Sequence, residues 1–127
     1  MNQLTHADLQ FCLLRTPKKV LEALKKRPRR AYVAGGFIRS VIAREEVNDI
    51  DIFVPSKDEG RTLADELVAG REVKENRAPI HETDNAFTLR GFFTTPQIIH
   101  RWTFNDPRDC VESFDFTIAC AAFWWSD

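Results

Sequence analysis

Two short stretches decide what this chain can fold into: Val33-Ala34-Gly35-Gly36-Phe37-Ile38-Arg39-Ser40 and, soon after it, Asn48-Asp49-Ile50-Asp51-Ile52-Phe53-Val54. A glycine pair opens a short helix, and two carboxylates then lie one residue apart on an apolar strand. Side chains alternate faces along a strand, so Asp49 and Asp51 share one face while Ile50, Ile52 and Val54 fill the other. Two unpaired carboxylates side by side on a sheet oppose each other's ionisation and are unfavourable to bury. A divalent cation is the simplest remedy, and Mg²⁺ suits an all-oxygen pair.

The rest of the composition is compatible with an ordinary folded chain. At 127 residues it has the length of one domain with a real core. A net charge of −1 excludes a protein that is basic overall. The basic residues are uneven, however: Arg15, Lys18, Lys19, Lys25, Lys26, Arg27, Arg29 and Arg30 crowd the segment before the glycine pair. Cys12, Cys110 and Cys120 have neither a metal-ligand spacing nor an even count for disulfides, and their apolar neighbours predict free thiols in a reducing cytoplasm. No apolar run of about 18 residues predicts a membrane span, and the N-terminus lacks a signal peptide's apolar region.

Along the chain, Thr5 and Asp8 mark a helix start, and Thr16-Pro17 restarts the chain with threonine as N-cap and proline at the first helical position. Pro28 ends that segment. Ala31 to Ala34 reads as a strand, Gly36 to about Arg44 as a helix, and Asp49 to Val54 as the clearest strand. Ser56 to Glu59 matches a capping box for a helix that stops near Gly70. Arg71 to Lys74 reads as a strand and Glu75 to Asp84 as a polar loop. Ala86 to Leu89 and Gln97 to Phe104 read as strands around a turn at Gly91 to Pro96. A short helix at Asp106-Pro107 precedes a last apolar strand from Phe114 to Trp125. The order predicts an α/β (α+β) domain, a mixed sheet with helices mainly on one face. Because that apolar strand is still running at Ser126-Asp127, either it lies at the domain's end or the native polypeptide continues; we favour continuation.

Metal-assisted phosphoryl transfer needs a clamp for the triphosphate, carboxylates for one or two cations and an aligned nucleophile. Gly35-Gly36 lets the backbone approach phosphate oxygens, and the helix that follows offers unpaired N–H groups. Ser40 adds a hydroxyl one turn on. Arg39 has two readings, a phosphate contact or an ion pair. Asp115, within the apolar run Phe114-Asp115-Phe116-Thr117-Ile118, is the candidate third acid.

Gly35-Gly36, a short helix, Asp49-x-Asp51 and a later strand carrying Asp115 together resemble the nucleotidyltransferase fold of the DNA polymerase β superfamily. The run from Ala34 to Arg39 with Asp49 to Ile52 is most similar to the head domains of CCA-adding enzymes and poly(A) polymerases. The run from Gln97 to His100 and from Val111 to Thr117 is similar to small phage and bacterial members. The resemblance covers about Ala31 to Phe123. It implies transfer of an NMP from an NTP, ATP among them, to an acceptor hydroxyl with release of pyrophosphate. It assigns Asp49, Asp51 and Asp115 to Mg²⁺ or Mn²⁺, and Gly35, Gly36, Arg39 and Ser40 to the nucleotide. It divides the chain into a basic helical segment, 1–30, and a nucleotidyltransferase-like core, 31–127. Two departures stand out: Ser40 replaces the acid that follows the arginine in CCA-adding enzymes, and the helical domains that read tRNA have no counterpart.

Alone, a glycine pair is usually a turn and an Asp-x-Asp usually a surface strand; their combination carries the reading. The basic cluster is either a solvated helix face or an RNA (tRNA-like) contact through Lys18, Lys19, Lys25, Lys26, Arg29 and Arg30. His100 reads as structural, or as lining the site. Trp124-Trp125 reads as core, or as a base-stacking platform. Three functions compete: an RNA-directed transferase, a minimal enzyme that modifies a protein or small molecule (with a protein acceptor or antitoxin partner), and a non-catalytic nucleotide-binding or interaction module from a phage or mobile element.

Overall fold

A computed structural model describes residues 5–70, 78–101 and 122–125. Within them the elements run α1 (His6–Arg15), α2 (Lys18–Lys25), β1 (Tyr32–Ala34), α3 (Gly36–Ile42), β2 (Asp49–Phe53), α4 (Lys57–Val68), β3 (Ile80–Glu82), β4 (Ala86–Leu89), β5 (Thr95–Ile99) and β6 (Ala122–Phe123). The strands form one mixed sheet in the order β3-β4-β5-β2-β1-β6. Its central pair, β2 and β5, is parallel, and the other pairs are antiparallel.

Strand alternation sorts the sheet into two faces. Val33, Ile50, Ile52, Val54, Phe87, Leu89 and Ile98 are buried in one core with Val20 and Leu24 of α2, Phe37 and Ile38 of α3, and Leu63 and Leu67 of α4. The helices therefore pack on one face, as the sequence pattern predicts. Tyr32, Ala34 and Phe53 form a smaller cluster on the other face, with the Tyr32 and Phe53 rings stacked 5.7 Å apart. Asp49 and Asp51 belong to that second face.

Local chemistry explains most boundaries. Thr5 caps α1, its Oγ1 accepting the Asp8 N–H at 3.1 Å. Ser56 caps α4 by accepting the Glu59 N–H at 3.1 Å, and its hydroxyl donates to the Glu59 carboxylate. Gly60 lets α4 lie close on the sheet, since a Cβ there would come within 3.1 Å of Val54 Cγ2. Helix α3 ends in a Schellman turn: Arg44, at φ 58°, donates its N–H to the Val41 carbonyl, and Glu45 donates to Ser40. The Arg44 guanidinium then lies over the Phe11 ring of α1, 5.0 Å from its centroid.

Several boundaries correct the sequence expectations. Thr16 does not cap α2, which begins at Lys18 behind an uncapped Pro17. Its hydroxyl instead donates to the Cys12 carbonyl at 2.7 Å, closing α1. The expected loop at 75–84 contains β3, held by pairing with β4 from Ile80 opposite Leu89 to Glu82 opposite Phe87. The expected Gln97–Phe104 strand starts earlier, at Thr95, and ends at Ile99. Pro96 is tolerated inside it because it lies past the last paired residue of β4, where no N–H is needed. The expected strand at 71–74, the short helix at 106–107, Cys110, Cys120 and Asp115 lie outside the described residues, and the expected last strand is described only at 122–125.

Candidate functional site

Residue Gly35 has φ +88° and ψ −145°, a conformation open essentially to glycine alone. It turns the chain from β1 into α3, and a Cβ on it would sit 3.7 Å from Asp51 Oδ2. Gly36 is different: it starts α3, and an added Cβ would meet nothing within 4 Å. That open space is part of a cleft of about 320 Å³ lined by Gly36, Phe37, Ser40, Glu46, Val47, Asn48, Asp49, Asp51 and Gln97. Pairing β1 antiparallel to β2, with Val33 opposite Ile52, brings the glycine turn beside the two aspartates.

The electrostatics of this cleft are unbalanced. Asp49 is exposed and Asp51 half-buried. Burial pushes the Asp51 carboxyl up to about 6, and the charge of Asp49 adds to the shift. Among the described residues no hydrogen bond or ion pair compensates either carboxylate. Such a pair beside an open cleft fits a hard divalent cation, which needs oxygen ligands and retains waters for the remaining positions. Asp49 and Asp51 are the residues that would hold it. The described residues contain no cluster of three His, Cys, Asp or Glu able to hold a metal.

The structure brings Gly36, Ser40, Asp49 and Asp51 into one cleft, with Gly35 directly behind Asp51. Arg39 is not among the lining residues; its guanidinium lies 4.0 Å from Glu45 on the surface. Phe37, Glu46, Val47, Asn48 and Gln97 line the cleft without being expected there, and of these Gln97 alone comes from a strand remote in sequence. Its strand was visible, but the parallel register that sets Gln97 opposite Asp51 was not. His100 lies against Phe87, 5.0 Å between centroids, on the helical side of the sheet and away from the cleft. Trp125 packs against the helical-face core and Trp124 against the Tyr32–Phe53 cluster. Burial and the nearby Asp8 push the Cys12 thiol up to about 11, which fits a small core side chain.

The basic segment lies on the helical side. Arg27 meets Glu66 at 3.2 Å, Lys26 approaches the same carboxylate at 3.8 Å, and Arg30 forks onto Glu59 at 2.8 Å. Lys19 donates to the Ala69 carbonyl, and the Arg29 N–H to the Trp125 carbonyl. The sheet therefore separates the α2 cations from the two aspartates.

Known relatives add to this geometry. The profile of the Gabija anti-defense 2 family protein matches residues 7–127. The chain belongs to this family. Gabija anti-defense 2 of Bacillus phage SPbetaL7 is 29% identical over 106 residues, which is 84% of this chain and 25% of that protein. The chain thus spans about a quarter of the length of that curated relative. Among solved structures, the Thermotoga maritima CCA-adding enzyme complexed with tRNA superposes with a TM-score of 0.59 at 19% identity, over 91% of this chain and 28% of that one. A tRNA nucleotidyltransferase complexed with a primer tRNA and an incoming ATP analogue gives 0.60 at 22% identity, over 83% and 30%. A CCA-adding enzyme with CTP gives 0.58 at 21%, over 93% and 29%. This member of the Gabija anti-defense 2 family therefore has a nucleotidyltransferase-like fold, shared with CCA-adding enzymes and tRNA nucleotidyltransferases. No helix among its described residues is long and apolar enough to cross a membrane.

Proposed function

We propose that this chain holds an NTP together with a divalent cation, Mg²⁺ or Mn²⁺, in the Asp49–Asp51 cleft. In this reading the cleft is the nucleotide-handling part of a cytoplasmic protein that counters a bacterial defence system. One observation carries the proposal: Asp51 is half-buried, raised to about 6 and without a compensating partner among the described residues, beside a second carboxylate in a cleft also lined by Gly36 and Ser40. A fold that retained such a pair without a ligand would be destabilised by it. The name of the phage relative supports a defence protein as the partner. RNA contact through Lys18, Lys19, Lys25, Lys26, Arg29 and Arg30 is less favoured, because those cations lie across the sheet from the cleft.

In such a site Asp49 and Asp51 hold the cation, and the open backbone at Gly36 leaves room for the phosphates, with Ser40 beside them and Arg39 within the same helix. The bound cation supplies charge stabilisation on phosphate oxygens. Nucleotidyl transfer is the reaction that the resemblance implies: an acceptor hydroxyl attacks the α-phosphorus and pyrophosphate leaves, and a third acid would complete the acceptor-side cation site that activates the hydroxyl. Asp115 is the candidate for that acid. The second reading is nucleotide binding without transfer, and the presence of Gln97 beside Asp51 favours it.

Calorimetric titration with a non-hydrolysable NTP analogue, in Mg²⁺ and in EDTA, tests the proposal. Saturable binding is expected in Mg²⁺ only, and it should vanish in Asp49→Ala/Asp51→Ala while the circular dichroism spectrum is kept. Equal binding with and without the cation would sink the reading. Transfer of label from α-³²P NTPs to host protein or RNA separates transfer from binding.

A further inference from the structure

We infer that Gln97 limits this cleft to a single divalent cation, so that a bound nucleotide is retained rather than consumed; the inference rests on reading the cleft as a cation and nucleotide site. Strand β5 lies parallel to β2, with Thr95 opposite Asp49 and Gln97 opposite Asp51. Neighbouring strands are about 4.8 Å apart, so a side chain at 97 reaches the space in front of the Asp51 carboxylate. Gln97 is half-buried and lines the same cleft as both aspartates. Its carboxamide makes no hydrogen bond with any described residue, and it lines the cleft beside both aspartates.

The chemistry of that position decides the cation count. Two cations about 3.5–4 Å apart carry four positive charges at short range. The triphosphate neutralises the cation on the nucleotide side. The acceptor-side cation depends on protein carboxylates, and among the described residues Asp49 and Asp51 alone would serve both. A third carboxylate at 97 would complete that second site. An amide gives one neutral oxygen instead, and its NH₂ group repels a cation. Glu46 lies on the rim of the cleft, but it does not complete a three-acid cluster with Asp49 and Asp51.

The number of Mn²⁺ ions bound per chain, counted by electron paramagnetic resonance with a saturating non-hydrolysable NTP analogue, tests the inference on the full chain. The wild type should bind one ion and Gln97→Glu two, with Gln97→Asp as a second variant. In EDTA, Gln97→Glu should melt below the wild type, because a third carboxylate joins two others. Mn²⁺ should raise its melting temperature by more than that of the wild type. Two ions in the wild type, falling to one in Asp115→Asn, would overturn the inference and assign the third ligand to Asp115. One ion in a folded Gln97→Glu would also overturn it. No ion at all in the wild type would instead sink the cation site on which the inference rests.

Discussion

Against α4 the cations Arg27 and Arg30 meet Glu66 and Glu59 at 3.2 and 2.8 Å, the first pair partly buried and the second exposed. Across the sheet, Asp49 and Asp51 stand together with no cation among the described residues, and one of them is half-buried. The region against α4 thus pairs its charges whether they are partly buried or exposed, and solvent screening leaves the exposed Arg30–Glu59 pair with the smaller contribution. The poorly paired region is where an unmatched charge is most unfavourable. A carboxylate pair with no partner among the described residues suits a ligand that brings positive charge.

The sharpest break of this comparison lies behind the aspartates, on the apolar face of the same strand. Ile52 is fully buried, and Ile52→Ala should destabilise the chain by about 2–5 kcal/mol, read by chemical denaturation. Asp51→Asn, one residue away, should act in the opposite direction. The Asp51 carboxyl is raised from an ordinary 3.8 to about 6, so the native state binds more protons than the unfolded chain between those values. Without divalent cations, stability should therefore fall as pH rises through that window and stay lower above it, by about 2–3 kcal/mol. Asp51→Asn should flatten this dependence and raise the melting temperature at pH 7.5 in EDTA, while removing Mg²⁺-dependent NTP binding. A variant that melts below the wild type under those conditions would remove the case for an uncompensated carboxylate. In the wild type, cation affinity should weaken below about pH 6, where protons compete for Asp51. The smallest effect belongs to the surface pairs: Arg30→Ala should cost about 0.2–1 kcal/mol and shrink further in high salt.

Much of this was legible in the sequence because the signals are local. Thr5 and Ser56 cap the helices that they precede, and the alternation from Asp49 to Val54 placed both aspartates opposite Ile50 and Ile52. The Gly35-Gly36 pair marked the turn that now lies against Asp51. What was hidden is non-local. The hydroxyl of Thr16 had two helix ends within reach, and only the fold of α1 decides between them. Strand β3 is three residues long and exists through its pairing with β4, so its own composition reads as loop. Gln97 becomes a site residue only through the parallel register of β5 on β2, which no stretch of sequence encodes alone.

The two glycines, adjacent in the chain, separate two ways in which a protein fails. Alanine at 35 would be forced into a left-handed backbone conformation and should lower the amount of folded protein recovered from cells. Alanine at 36 meets no atom within 4 Å and suits a helix start, so folded yield should stay at the wild-type level. Any deficit of Gly36→Ala then registers what enters the cleft. In a pooled mutational screen, abundance would report on position 35 and occupancy on position 36, so this neighbouring pair contains its own control.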